Sequence, residues 1–414
     1  MELNQTNESD SRALSAHRTR AALVLAPCLI AFSMGQTVLF AVAGPVIRDI
    51  GLTEFQLGMI VSAAALSFVV VSPIWGKLSD SWGRKRVIIL GLLAYGMTSV
   101  AFAAVMDLGL RGLLAVGPVF FSLLGIRILY ALLGAGIQPA SVALMADLSD
   151  AQNRSSAVAI VGAAFGFGMI LGPAAAAALV GWGVLVPLYA IAALGLACML
   201  LAALFLEAPP KRAEEQSTTA KIDLGRLAPI LVTTVLFFSG ISALQQTIAF
   251  YVQDFLSADS ETATRMTSFC FVAMAVSSLI VQGGLIQALK PEPGTLLKLG
   301  LPIMVIGVLL YGVPVAFWQL ILASIIMGVG FGMVNPGIIA AASLRVDANA
   351  QGSAAGVTQA TMAAGYIIGP LAGTAVYEID AQYSAVFVGT CMLLANLIAV
   401  FLRTPAPSRE TASV

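Results

Sequence analysis

The chain has 414 residues, 59% of them hydrophobic and only 10% charged, with 21 Lys+Arg balanced by 21 Asp+Glu and a single His. A soluble domain is about 45–50% apolar and about 25% charged, so water is excluded as the solvent for most of this chain and lipid takes its place. The zero net charge offers no basic surface, and no nucleic-acid partner is expected.

The first twenty residues, "MELNQTNESDSRALSAHRTR", are polar. The apolar run behind them is long enough to span, so a cytoplasmic tail is expected rather than a cleavable signal peptide. Spanning takes roughly 20 apolar residues, and twelve such runs lie near 21–46, 55–76, 87–106, 116–144, 156–180, 185–206, 228–253, 266–289, 296–315, 318–342, 353–377 and 383–403. The first holds "FSMGQTVLF", with Gln36 as its most evident polar group. Between the second and third, "GKLSDSWGRKR" packs Lys77, Asp80, Arg84, Lys85 and Arg86 between Gly76 and the end of the loop, around Gly83. The fourth reads "RILYALLGAGIQP" (Arg127–Pro139) and puts Arg127 about nine residues, roughly 13 Å, into its span. At that depth an arginine costs about 2.5–3.5 kcal/mol or more, so it should face protein and have partners.

Further along, the fifth run carries "GMILGPAAA" and the eleventh "GYIIGPLAG". Small residues at every fourth position let helices pack closely in lipid, while proline kinks a helix by removing a donor. "GVGFG" (Gly328–Gly332) lies in a span and lacks the GK[ST] of a phosphate loop, which argues against an ATP-driven pump. Cys28, Cys198, Cys270 and Cys391 all fall in apolar runs and read as buried hydrophobes, with no disulfide and no metal. His17, the one histidine, stands in the polar tail, so an intramembrane His-based triad is excluded and no enzyme is expected.

With the N-terminus inside, seventeen of the 21 Lys and Arg fall on the inner side, three (Arg48, Arg111, Arg265) on the outer side, and Arg127 within a span. The positive-inside rule therefore puts both termini in the cytoplasm. The charged stretch after residue 206 splits the chain: a tail at 1–20, six spans at 21–206, a linker at 207–227, six spans at 228–403 and a tail at 404–414. The halves look like copies. Gly172-Pro173 and Gly369-Pro370 stand 197 residues apart, as do Gln138-Pro139 and Asn335-Pro336, and "QTVLF" (Gln36–Phe40) is echoed 210 residues later by "QTIAF" (Gln246–Phe250). Repeated six-span units are a transporter signature, with the site near the midplane. The expected fold class is an all-α membrane protein with twelve transmembrane helices in two pseudo-symmetric six-helix bundles.

On these motifs the chain resembles the major facilitator superfamily, and specifically its twelve-helix drug:proton antiporters of the multidrug and tetracycline type. The resemblance implies that Gly76, Asp80, Gly83, Arg84 and Lys85 form a cytoplasmic gating loop and that Arg127 takes part in proton coupling. It implies helix-packing and kink roles for Gly168, Gly172, Pro173, Gly356, Gly365, Gly369, Pro370 and Gly373. The antiporter glycine pattern is fuller in the eleventh span than in the fifth, where Ala159, Ala176 and Ala177 replace glycines.

One departure matters. Many relatives carry an acid in the first helix, but none of the 21 acids here lies securely within a span. Asp254, the pair Asp147 and Arg154, or no proton at all remain open for coupling. The cavity candidates are Gln36, Arg127, Gln138, Gln246, Asn335 and Gln359, with Tyr130 and Tyr251 as amphipathic walls. Gln36 and Gln246 are expected to be symmetry mates facing one central space. Amides, one cation and no buried acid suit neutral, amphipathic or anionic solutes better than lipophilic cations.

The expected function is secondary-active export of small amphipathic solutes or drugs by alternating access. The alternative is a dedicated exporter or facilitator of one metabolite or siderophore-like solute without proton antiport. A non-transporting sensor would need neither the midplane amides nor the loop. The expected partners are a small-molecule substrate and the lipid bilayer, with protons as a candidate and the chain a monomer. No cofactor is expected, and the location is the plasma membrane, bacterial and inner.

Overall fold

The computed structural model describes residues 2–149, 153–207, 223–312, 316–347 and 350–401, and among these it is helical with no strand. Twelve long helices run in chain order: α1 Glu2–Ile50, α2 Glu54–Trp82, α3 Arg84–Leu110, α4 Val116–Asp147, α5 Arg154–Leu179, α6 Val186–Phe205, α7 Leu224–Leu256, α8 Ser260–Leu289, α9 Pro293–Tyr311, α10 Phe317–Ser343, α11 Gln351–Ile379 and α12 Ala381–Phe401. Eleven are apolar enough to qualify as membrane spans on length and hydropathy. The twelfth, α11, has 29 residues, about 43 Å at 1.5 Å per residue. Its Gly, Thr, Ser and Gln content dilutes its hydropathy.

Local chemistry sets the boundaries. Thr53 and Gln56 form a reciprocal capping box at the start of α2, with Glu54 in the first turn, where the helix dipole favours an acid. Only Gly83 separates α2 from α3, at φ 95°, a conformation that a side chain resists. At the start of α8, Asp259 accepts the Thr262 N–H at 2.9 Å. Hydrogen bonds from Thr262 hold the Asp259 carboxyl below its ordinary range. α4 is interrupted at Ala135-Gly136 and resumes at Ile137. α8 carries a π turn at Val281–Leu285, over its Gly283-Gly284 pair.

Two compact units emerge, Met1–Glu215 with Ala249–Val272, and Gln216–Ile248 with Ala273–Val414. The first boundary falls inside the predicted linker. The segment 249–272, the end of α7 and the start of α8, clusters with the first unit although it follows the linker in sequence.

Within the first unit α5 packs along α1. A Cβ on Gly168 would overlap Ser33 Oγ and the Ile30 carbonyl, and one on Gly172 would overlap Thr37 Oγ1 and the Met34 carbonyl. Within the second unit α11 packs along α7 in the same way. Gly365 abuts Phe238, Gly369 abuts Ser242 and the Ser239 carbonyl, and Gly373 abuts Ala243. The Ser242 hydroxyl donates across this seam to the Gly365 carbonyl at 3.0 Å. Gly365, Gly369 and Gly373 of α11 thus serve a tight seam with α7. Gly356 has open space where a Cβ would go, so no packing demand holds it. "GVGFG" is also a seam: Gly328 and Gly332 meet α8 at Met274, Ser277 and Ser278, while Gly330 meets α9 at Gly300 and Met304. All four cysteines are buried.

Candidate functional site

Helices α1, α3, α4 and α6 of the first unit line a small cavity of about 20 Å3, with Gln36, Tyr95, Thr98, Ser99, Arg127, Tyr130 and apolar neighbours on its walls. That volume is room for about one water. The glycines place its aromatic wall. A Cβ on Gly35 or on Gly195 would overlap the Tyr95 ring, so their absence lets the ring lie between α1 and α6. The Tyr95 hydroxyl then donates to the Ala31 carbonyl at 3.0 Å. Tyr95 and Tyr130 lie with ring centroids 6.1 Å apart, and Phe32 packs edge-on to Tyr95 at 5.5 Å.

Arg127 lies over the Tyr130 ring, its Cζ 4.7 Å from the centroid. Such a contact offsets part of the cost of placing a cation in a dry site. Gln36 Nε2 donates to the Tyr130 hydroxyl, so the tyrosine acts as acceptor there and keeps its own proton to donate elsewhere. The buried Arg127 Nε has no hydrogen-bond partner. No salt bridge among the described residues involves Arg127, and no acid lines the cavity. Gln36, Arg127 and Tyr130 are brought together as candidates. Tyr95 joins them without being singled out from sequence, because the glycines that make room for its ring, Gly35 and Gly195, lie on other helices.

The other candidates lie apart from this cavity. Gln138 is half-buried on α4. Gln246 is 2% exposed. Gln246 Oε1 and Asn335 Oδ1 are buried without a hydrogen-bond partner. Tyr251 is fully buried and stacks on Phe255 at 5.1 Å. Gln359 is exposed on α11.

The seams also correct the register of the repeat. Gly91 of α3 meets Ile137 and the Leu133 carbonyl of α4, while Gly300 of α9 meets Val334 and the Gly330 carbonyl of α10. That equates α4 with α10 at an offset of 197 and α3 with α9 at 209. Gly172 and Gly369, each followed by proline, meet Met34 and Ser239, which equates α1 with α7 at 205 rather than 210. Gln246 therefore lies five residues beyond the mate of Gln36. Five residues amount to about 140° of rotation and about 7.5 Å of rise. "QTVLF" and "QTIAF" resemble one another in letters but not in packing position. The true mates of Gln36, Tyr95, Arg127 and Tyr130 are Ile241, Met304, Ser324 and Met327. Ser324 bonds its own helix at Leu320 O, 2.8 Å away, and all four of these residues are buried.

Two charged clusters flank the cavity along the chain. At the end of α2, Arg84 pairs with Asp80, reaches Asp147 of α4 at 3.2 Å and donates to Ser79 Oγ at 2.5 Å. The signature loop is thus tied down onto α4. Gly83 serves it through its positive φ, whereas a Cβ on Gly76 would meet nothing within 4 Å. Lys85 is half-buried beside them. At the end of α1, Arg48 pairs with Glu54 at 2.5 Å, forks onto Asp254 at 2.5 and 2.9 Å, and lies 4.7 Å from the centroid of the Phe250 ring. The Arg154 side chain lies outside the described residues. Apart from the polar lead of α1, every acid on the described helices is within about a turn of a helix end.

The family described as the Major Facilitator Superfamily matches residues 25–359 and, in a second match, 230–414. The chain belongs to the major facilitator superfamily. Among its relatives, Quinolone resistance protein NorA of Staphylococcus aureus is 24% identical over 374 residues, covering 86% of this chain and 89% of that protein. Multidrug resistance protein 2 of Bacillus subtilis is 24% identical over 397 residues, covering 92% and 95%. Two solved structures share the fold. A bacterial homolog of the human lysosomal transporter Spinster gives a TM-score of 0.74 at 15% identity, covering 92% of this chain and 96% of that one. The nucleoside transporter NupG gives 0.71 at 16%, covering 92% and 100%. This superfamily member is a multi-pass plasma-membrane transporter and not an enzyme.

Proposed function

We propose that the chain is a secondary-active exporter of small amphipathic solutes, drugs among them, working by alternating access. Similarity to two proteins named for drug resistance, over nearly the full length of each, supports export. The observation that carries the site is Arg127, a cation inside a helix with an aromatic face beneath it and no carboxylate beside it. In this reading Arg127 and Gln36 contact solute, and Gln138, Gln246, Tyr251, Asn335 and Gln359 are the further contacts to test. The Asp80–Arg84–Asp147 ties act as the cytoplasmic gate, breaking and re-forming as the solute path changes side.

A second reading has its own observation. Every acid of the spans stands at a helix end, so no carboxylate or imidazole lies in the middle of the described helices. That favours a facilitator, or an exporter driven otherwise. Counterflow in proteoliposomes with an imposed pH gradient separates the two. Export that accelerates with the gradient supports proton antiport; export indifferent to it removes antiport and leaves the exporter. No counterflow for any of a panel of neutral, anionic and cationic dyes would remove the exporter reading itself.

A further inference from the structure

We infer that the Gln36–Tyr95–Arg127–Tyr130 cavity is an anion site, taking either the carboxylate head of an amphipathic solute or a free monovalent anion. Its use in transport rests on the exporter reading; its existence does not.

The argument starts from an imbalance. A guanidinium carries five N–H donors and a charge that it does not give up. In this cavity the Tyr130 ring satisfies one face of the plane, but the buried Nε is left without a partner. A water would satisfy a donor yet leave the charge uncompensated, and a lone charge away from bulk water is costly. The neighbours do not cancel it: among the lining residues stand amide, hydroxyl and apolar groups, and no acid.

The arrangement of donors has a direction. Gln36 spends its amide N–H on the Tyr130 oxygen, which leaves the Tyr130 proton to be given away. Ser99 adds a further hydroxyl to the lining, whereas those of Tyr95 and Thr98 already donate to the Ala31 and Ala94 carbonyls. Guanidinium and hydroxyls together are a donor set for an anion, and no cation could sit against Arg127. The volume, about 20 Å3, admits one oxygen or one atomic ion. The site would therefore grip a charged head while the apolar body of a solute lies outside it.

The scaffold itself does not require this charge. At the matching register of the other repeat stand Ile241, Met304, Ser324 and Met327, all buried and none of them charged. The cation is thus an addition at one of two equivalent places, as a ligand site would be.

The test uses full-length protein purified in detergent and halide-free buffer, with thermal unfolding as readout and benzoate, bromide, benzyl alcohol and benzyltrimethylammonium as probes. A ligand that binds the folded state raises the midpoint in a saturable way. A rise with benzoate but not with the alcohol or the ammonium identifies a carboxylate head. A rise with bromide alone identifies a free anion. Either supports the site. Arg127→Gln should abolish the rise, and Arg127→Lys, which keeps charge but not the fork, should weaken apparent affinity about tenfold, the scale of one charge-assisted hydrogen bond. Should Arg127→Gln not fold, Tyr130→Phe keeps the ring under Arg127, removes the free proton, and should weaken binding severalfold. No rise with either anion, or an undiminished rise in the Gln and Phe variants, overturns the inference. Binding without counterflow would retain the site and reject the exporter.

Discussion

In the first repeat, the place where α1, α3 and α4 meet holds Gln36, Tyr95, Arg127 and Tyr130. In the second, the matching place among α7, α9 and α10 holds Ile241, Met304, Ser324 and Met327. The glycines around both places do the same work: Gly91 and Gly300 admit the neighbouring helix, and Gly172 and Gly369 bring the carbonyls of Met34 and Ser239 into contact. What differs is the filling. The second repeat has buried methionines, adaptable apolar side chains, at two of those positions, whereas the first holds a cation on an aromatic ring. A fold that tolerates either filling is not using the arginine to stand up. On the anion-site proposal, its cost is met by what it binds or moves.

The comparison can be broken most severely by moving the charge. Ser324→Arg places an unpaired cation one turn from Met327 on α10, where Ser324 is 2% exposed. An arginine at the centre of a span costs about 2.5–3.5 kcal/mol on the mildest scale. Folded yield by fluorescence-detected gel filtration should fall steeply, whereas wild-type carriage of Arg127 shows the first repeat to be adapted. A normal yield would mean that the second repeat is equally receptive, and the contrast would fail.

The seams give the next effect. Gly168→Ala and Gly369→Ala each drive a methyl into backbone carbonyls, Ile30 and Ser239 respectively, and overpacking of this kind costs about 1–3 kcal/mol. Thermal unfolding should show both substitutions to be destabilising by similar amounts, with Gly356→Ala neutral because its Cβ would enter open space. A destabilised Gly356→Ala, or a harmless Gly369→Ala, would undo the equivalence of the two seams.

The smallest expected effect is at the charged loop. Asp147→Asn leaves Arg84 its bonds to Asp80 and Ser79, so stability should change by no more than about 1 kcal/mol, the range of partly exposed ion pairs. Transport, if the loop gates it, should change more than stability does. A stability loss with unaltered counterflow would reduce the loop to a tie between α2 and α4.

Much of this protein could be read from its letters. Spanning length, the distribution of Lys and Arg, and the Gly-Pro pairs at 197 are local or cumulative properties of the chain, so they predict twelve helices, their orientation and the repeat. The Arg127 site was half legible, because a charge inside an apolar run is anomalous wherever its partners lie. Tyr95 was not, since nothing in "GLLAYGMTSV" tells which neighbour will leave room for its ring. Nor was the register of α1 against α7, where an apparent "QT" match misled by five residues.

Composition and charge by themselves determined that the chain lives in lipid, crosses it repeatedly and repeats itself, because each residue meets the bilayer one helix at a time. Which repeat holds a polar cavity, which glycines bear on a neighbour and which glutamine faces Tyr130 were decided only by tertiary structure. Those depend on contacts between helices far apart in sequence, where a rotation of about 100° per residue turns a small register error into a different face.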